Sequence, residues 1–227
     1  MNQDYRLIKQ HFDMASENEQ RGNTTEAGMV AYATYLLERI QPPSDAALLE
    51  IGCGDGLPMR KLRELRPDLN IDGIDLSTTL SKAAKVNNPN SLIIEGNVLE
   101  IDLPNRRYDV IYSFSFMQYI RFHDILKLHK RLVPLLQHGG RIVHCSIPDR
   151  RLKAVYQAED QFRKHLWHGW WRTPLLCAWQ SIFNGDRYGE GGFWHDPQSI
   201  VKLLDPFGSV EVLPGDIYYR FDLNARF

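Results

Sequence analysis

Several features that mark other kinds of protein are scarce in this chain. There is no charge excess: 27 Lys plus Arg meet 28 Asp plus Glu, a net charge of −1. No global field therefore draws it to nucleic acid or an anionic membrane. No apolar run approaches the roughly 18 residues of a membrane helix, and the stretch 1–10 is polar and lacks the apolar centre of a secretory leader. The three cysteines, Cys53, Cys145 and Cys177, lie far apart. That excludes an even disulfide framework and suits a reducing compartment, the cytoplasm. Internal repeats and low-complexity tracts are absent. Tryptophan is missing from the first 166 residues, and all five (Trp167, Trp170, Trp171, Trp179, Trp194) fall in one 28-residue window. What remains is ordinary for one globular domain: 227 residues, 43% hydrophobic and 24% charged, enough to bury a large core.

One stretch organises the rest. Leu48-Leu49-Glu50-Ile51-Gly52-Cys53-Gly54-Asp55-Gly56 is a short apolar run that meets an acid and passes into alternating glycines. Leu57, Lys61, Leu62 and Leu65 follow at helical spacing. This predicts a buried strand, a tight turn and a helix start. The glycines take torsions barred to other residues and let a ligand lie against the backbone. Such turns join strands to helices in many α/β domains, so the loop alone decides little. A second apolar run, Ile71-Asp72-Gly73-Ile74-Asp75-Leu76-Ser77, closes on a carboxylate about 20 residues further on, where an acid can accept two ribose hydroxyls. The loop reads G-x-G-x-G and lacks the helix-packing glycine of G-x-G-x-x-G, which disfavours a nicotinamide-dependent reductase.

Strands are predicted at 47–51, 71–75, 91–95, 109–113, 140–146, 209–213 and 217–225, and helices at 57–66, 77–86, 122–137 and 197–204. This alternation implies a mainly parallel sheet covered on both faces. The helix at 122–137 carries Ile125, Leu128, Leu132 and Leu135 and stops at Gly139-Gly140, suited to a left-handed carboxyl cap. Asp196-Pro197 reads as an N-cap followed by a first-turn proline. Only Pro214-Gly215-Asp216 divides the last two strands, a link too short for a parallel crossover, so the closing strand should run antiparallel. Ahead of the first strand, residues 26–40 are amphipathic, with Val30, Ala33, Leu37 and Ile40 on one face, and Pro42-Pro43 ends that helix.

Glu50 to Gly56, Asp75, Glu95-Gly96-Asn97-Val98 and Tyr108-Asp109-Val110-Ile111 resemble, in order, the successive motifs of class I S-adenosylmethionine-dependent methyltransferases. The resemblance runs from about Ala46 to Pro148 and resumes weakly from His195. It implies an α/β fold of Rossmann-like, doubly wound type: a mostly parallel seven-stranded sheet with an antiparallel last strand, plus a helical cap. One methyltransferase domain, 1–227, would comprise a helical cover (1–44), a cofactor-binding core (45–149), an aromatic-rich cap (150–194) and a closing helix and strand pair (195–227). The implied cofactor is S-adenosyl-L-methionine, leaving as S-adenosyl-L-homocysteine. Gly52, Cys53 and Gly54 would meet its methionyl part through the backbone, while Glu50 orders the loop or meets the ammonium group. Asp75, with Leu76 beside it, would hold the ribose diol; its alternative role is to cap the helix from Ser77. Asn97 stands where the family often has an aspartate reading the adenine amino group. An amide carbonyl can accept that bond while its nitrogen donates to the adjacent ring atom. Val98 would flank the ring, and the backbone of Ser113 and Phe114 would lie near the methionyl amine.

On the acceptor side, the run 114–119 is expected to form a floor, with Gln118, Tyr119, Trp167, Trp171 and Trp194 lining the pocket. It lacks the Asn/Asp-Pro-Pro-aromatic signature of enzymes that methylate exocyclic or amide nitrogens in bases and proteins. A hydroxyl acceptor needs a base within reach. The candidate is His195, in Phe193-Trp194-His195-Asp196 before the last helix, against a structural role in positioning the cap. His144 reads as a neutral core histidine, Asp149 as a rim acid or helix cap, and Tyr119 as pocket wall. No histidine or carboxylate cluster has ligand spacing, so no metal is expected. The cap interleaves tryptophans with Arg150, Arg151, Lys153, Arg163, Lys164 and Arg172, diluted by Glu159 and Asp160. It reads as a lid over a flat or partly anionic small molecule, or as packing onto the core or a homodimer partner, rather than as a nucleic-acid surface. The expected activity is methyl transfer to a hydroxyl or amine of a small molecule, in a sugar or secondary-metabolite pathway, with no nucleic-acid or membrane partner. The alternative is a non-catalytic module that keeps the cofactor fold for interaction or regulation.

Overall fold

The apolar runs become the inner strands of one mixed sheet. The computed structural model describes residues 3–14, 25–165 and 192–227. Helices α1 (Gln3–Met14) and α2 (Glu26–Ile40) precede β1 (Ala47–Ile51). There follow α3 (Leu57–Leu65), β2 (Asn70–Asp75), α4 (Thr78–Asn87), β3 (Ile93–Glu95) and β4 (Tyr108–Phe114). A 3-10 turn (Met117–Tyr119), α5 (Phe122–Leu132), β5 (Leu136–Pro148) and α6 (Lys153–His165) come next. Helix α7 (Pro197–Leu204), β6 (Ser209–Pro214) and β7 (Arg220–Arg226) close the chain. The strands stand in the order β3-β2-β1-β4-β5-β7-β6. β1 to β5 pair in parallel, whereas β7 runs antiparallel to both β5 and β6, as the short link before it requires.

The order reverses beside β1: β2 and β3 lie on one side, β4 and β5 on the other. A crevice opens outside the carboxyl ends of β1 and β4 at such a point, and ligands settle there. Both faces of the sheet are covered, which is why its strands are near-continuous apolar runs. On one face Leu48, Ile71, Val110, Tyr112 and Val143 pack with Ala33, Leu36 and Ile40 of α2 and with Met59 and Leu62 of α3. On the other, Leu49, Ile51, Ile74, Ile111 and Ile142 meet Ile125, Leu128 and Leu132 of α5, Ile200 and Leu204 of α7, and Tyr5 and Ile8 of α1. The 125-128-132 spacing puts three apolar side chains on one helical stripe, and truncating a fully buried leucine such as Leu128 to alanine would cost about 2–5 kcal/mol.

The helix predicted over 122–137 is shorter than its pattern. It ends at Leu132 and tightens into a 3-10 turn over Val133–Leu135, because Pro134 lacks the amide that would continue the ladder. Leu136 already pairs with Tyr108, and regular pairing resumes at Val110 with Arg141. Gly139 does take a left-handed φ of 77°, but within this bulge of β5 rather than at a helix cap. Likewise, the closing strand begins at Arg220, not at 217.

Candidate active site

Glycine geometry sets the floor of the crevice. After β1 the amides of Gly52 and Cys53 both donate to the Ile74 carbonyl of β2, at 2.7 and 3.1 Å. Gly52 has φ 76°, and a Cβ there would stand 2.8 Å from the Phe116 ring. Gly54 has φ 57° and open space where a Cβ would project. One glycine admits a close neighbour and the other leaves room for a ligand.

Asp75, the last residue of β2, ties this loop down. Its Oδ2 accepts the Gly54 amide and its Oδ1 the Ser77 amide, each at 2.8 Å. Ser77 in turn caps α4 through its Oγ, which accepts the Leu80 amide. Burial raises the Asp75 pKa, and the two amides oppose that shift. The carboxylate thus faces the cavity and also staples two turns together; its remaining lone pairs are what a ribose diol would meet.

Glu50, near the end of β1, is 2% exposed and accepts a 3.0 Å bond from the Tyr112 hydroxyl. Burial pushes its pKa up to about 8, with Asp75 and Asp55 adding to the rise and Tyr112 opposing it. At the end of β3, Asn97 uses its Oδ1 to accept the Leu99 amide at 3.0 Å. Its Nδ2 is buried without a hydrogen-bond partner among the described residues. An orphaned buried donor on a cavity wall is a demand for an acceptor.

These residues line one cavity of about 480 Å³, a volume suited to a cofactor-sized molecule. Glu50, Gly52, Cys53, Gly54, Asp75, Leu76, Asn97, Val98, Phe114, Gln118 and Tyr119 all reach its wall. Ser113 does not: β4 runs one residue beyond the predicted end, so Phe114, Ser115 and Phe116 face the cavity. The Ser113 hydroxyl is instead bonded to His144 Nδ1 at 2.7 Å in the core.

His195 is also placed away from the cavity wall. Its ring is buried and its Nε2 donates to the Met117 carbonyl at 2.9 Å, beneath the turn that carries Gln118 and Tyr119. Its backbone continues the sheet beyond β5, with the amide on the Pro148 carbonyl and its own carbonyl accepting from Arg150. With Nε2 donating to that carbonyl the ring's lone pair lies on Nδ1, and His195 is outside the cavity lining, where its Nε2 supports the turn. Trp194 packs against Tyr156 and Tyr219, with ring centroids 5.3 and 5.9 Å away, and does not reach the cavity lining. Trp167, Trp171 and most of the expected cap lie outside the described residues.

Sequence reasoning expected a helical cover over 1–44 but named none of the residues that form the roof. Tyr5, Ile8 and Phe12 of α1 and Met29 and Tyr32 of α2 close the cavity from above. The 5-8-12 spacing is the signal that would have found the first three. Helix α1 is pinned at both ends: Asp4 pairs with Arg121 and the Tyr5 hydroxyl donates to Asp124, while Lys9 bonds the Leu76 carbonyl and Thr78, and Asp13 accepts from Ser77.

Residues 49–142 match the family described as a methyltransferase domain. The chain is 34% identical over 106 residues to malonyl-[acyl-carrier protein] O-methyltransferase 1 of Ilyobacter polytropus, covering 45% of this chain and 38% of that one. It is 32% identical over 117 residues to trans-aconitate 2-methyltransferase of Enterobacter sp. (strain 638), covering 52% and 45%. The matched part is thus less than half the length of either relative. Over nearly the whole chain the fold superposes on geranyl diphosphate C-methyltransferase from Streptomyces coelicolor A3(2), with TM-score 0.65, 13% identity, and 99% and 98% of the two chains covered. At that identity the likeness is one of fold. Strand order, the glycine turn after β1 and the match over residues 49–142 agree: this stretch matches a methyltransferase domain, and it is set in a Rossmann-like fold.

Proposed function

We propose that this domain transfers a methyl group from S-adenosylmethionine to an oxygen or nitrogen of a small molecule. One observation carries the reading: a single cavity gathers the open glycine turn, three acidic side chains (Glu50, Asp55, Asp75) and the orphaned Asn97 amide. The donor set suits a positively charged nucleoside. Asp75 would accept the ribose hydroxyls, Asn97 Nδ2 would donate to an adenine ring acceptor, Val98 and Leu76 would flank the ring, and Glu50 would face the ammonium group. The carbonyl of Asn97 is already engaged by Leu99, so its free function is donation rather than the acceptance an aspartate offers.

When bound, S-adenosylmethionine supplies a methyl carbon whose bond to sulfur breaks as a bond to the acceptor forms, leaving a neutral thioether. The protein's own task is alignment and the exclusion of water. Orientation of two bound reactants contributes up to about 7–11 kcal/mol in favourable cases. Phe12, Tyr32, Phe114, Phe116 and Tyr119 present aromatic walls that would steady a sulfonium by roughly 0.5–2 kcal/mol. Burial raises the Tyr119 pKa, so its hydroxyl stays neutral and serves as a hydrogen-bonding wall rather than an anionic base.

The acceptors in the relatives' names, a malonyl group on a carrier protein and trans-aconitate, and geranyl diphosphate in the fold neighbour, differ too much to transfer to this chain. Titration calorimetry tests the donor reading: S-adenosylmethionine and S-adenosylhomocysteine should bind in the micromolar range, about −8 kcal/mol. Absence of binding by either would overturn it.

A further inference from the structure

Arg220, the first residue of β7, stands behind Ser115 and Gln118 of the cavity wall, with no carboxylate to balance it among the described residues. Its Nη1 donates to the Ser146 carbonyl at 2.6 Å and lies 3.3 and 3.5 Å from the Ser115 and Ser146 hydroxyls. Its Nη2 donates to Gln118 Oε1 at 3.2 Å, and the guanidinium lies over the Tyr219 ring, 5.5 Å from the centroid. Every one of these partners is neutral. Ser115 and Gln118 themselves line the cavity.

Nearby acids are engaged elsewhere. Asp222 is paired with Arg39 at 2.9 Å and accepts from Tyr35, and Asp216 accepts the Ser146 hydroxyl at 2.8 Å. Neither forms an ion pair with Arg220. The nearby cations are committed too: Arg39 to Asp222 and Arg151 to Asp149. The Nε edge of Arg220 therefore keeps its hydrogen without a partner among the described residues. A half-buried guanidinium held only by neutral oxygens has lost water without gaining a counter-ion, and its planar edge matches a carboxylate with two parallel bonds.

Two strained residues make this arrangement deliberate. Ser115 and Ser146 have φ of 49° and 62°, a region that serines seldom enter. Ser146 sits where the pairing of β5 with β7 slips register. Both turn their oxygens toward the same guanidinium, fixing its plane beside the wall formed by Ser115 and Gln118.

We propose that Arg220 grips a carboxylate of the methyl acceptor, so that the substrate class is a carboxylic acid. This rests on the methyltransferase reading. A lone guanidinium with no second unpaired cation beside it among the described residues fits a singly charged planar group better than a doubly charged phosphate. The test uses protein saturated with S-adenosylhomocysteine and titrates succinate, trans-aconitate, their methyl esters and inorganic phosphate by calorimetry. At least one acid should bind saturably and its ester at least about tenfold more weakly. Arg220→Gln should weaken the acid at least about tenfold, with Arg220→Lys between the two, while the homocysteine product binds within about twofold of wild type in both. Equal binding of acid and ester, unchanged acid binding in Arg220→Gln, phosphate outcompeting every acid, or no acid bound at millimolar concentration would each overturn the assignment. Failure of S-adenosylhomocysteine to bind the wild type would instead strike the methyltransferase reading beneath it.

Discussion

The two ends of the cavity are built on different plans. The donor end is local. Gly54, Asp75 and Ser77 lie within 24 residues of one another, and their backbone bonds close the loop on itself. The proposed acceptor end would be formed by the 115–119 floor, backed by Ser146 of β5, the 192–195 stretch and Arg220 of β7, which meet only because the sheet brings β4, β5 and β7 side by side. Backbone amides and buried acids form a site for one kind of ligand. Side chains from scattered segments can vary one at a time, which is how a single fold serves many acceptors.

The sharpest way to break this contrast is Asp75→Ala. It leaves the Gly54 and Ser77 amides without their acceptor and removes the ribose partner, so S-adenosylhomocysteine affinity should fall about 100-fold, or about 2.7 kcal/mol. A loss under about threefold by calorimetry would mean that the donor end does not work through Asp75.

Comparable in size is an effect of acid on the β5–α5 packing beneath the cavity. His129 of α5 donates its Nδ1 proton to the Ile125 carbonyl and packs edge-on to His144 of β5, 5.2 Å between ring centroids. Burial holds the His129 pKa down to about 4 against 6.5, and His144 well below its ordinary value. Between those limits the unfolded chain binds the proton and the folded chain does not. Stability contributed by His129 is therefore complete above pH 6.5 and lost as pH falls toward about 4, by at most about 3 kcal/mol. Urea melts across this range should show that slope in wild type and a shallower one in His129→Gln, where His144 alone still resists the proton.

Glu50 gives the donor end a pH dependence of opposite origin. Its carboxyl is neutral below about 8 in the free protein, and an ammonium group brought against it favours the charged form. Binding should release a proton, and affinity should rise by up to about tenfold per pH unit between about pH 6 and 7.5. Glu50→Gln should flatten that rise. Calorimetry in buffers of differing ionisation enthalpy counts the proton; no proton released would separate Glu50 from the ammonium site.

The smallest effect is expected at His195. Gln in its place can still donate to the Met117 carbonyl, so turnover should fall less than about tenfold with an unchanged pH–rate profile and unchanged product binding. A loss beyond about 1,000-fold with binding intact would make it the base after all.

Much of the sheet was legible in the primary structure because burial on both faces leaves unbroken apolar runs and because Pro214-Gly215-Asp216 is too short for a crossover. The helix over 122–137 was overread since Leu135 keeps the apolar period that Pro134 cannot sustain. Ser113 was misplaced by a single residue of strand length, which in a pleated strand is the difference between the cavity and the core. At the site, the glycine turn and the acids at the ends of β1 and β2 were readable from spacing. His195 was read from its position in the chain, which cannot reveal that its ring already has a partner.

Local patterning alone therefore determined the mainly parallel sheet with its antiparallel close, the glycine turn and the acid about 20 residues beyond it, since each is marked by a run or spacing short enough to read along the chain. Only the tertiary structure decided the direction in which the Asn97 amide is unsatisfied, which side chains of α1 and α2 line the roof, and the seat of Arg220. Those depend on which side chains are left without partners once distant segments have packed, and no spacing in the sequence records an unmade hydrogen bond.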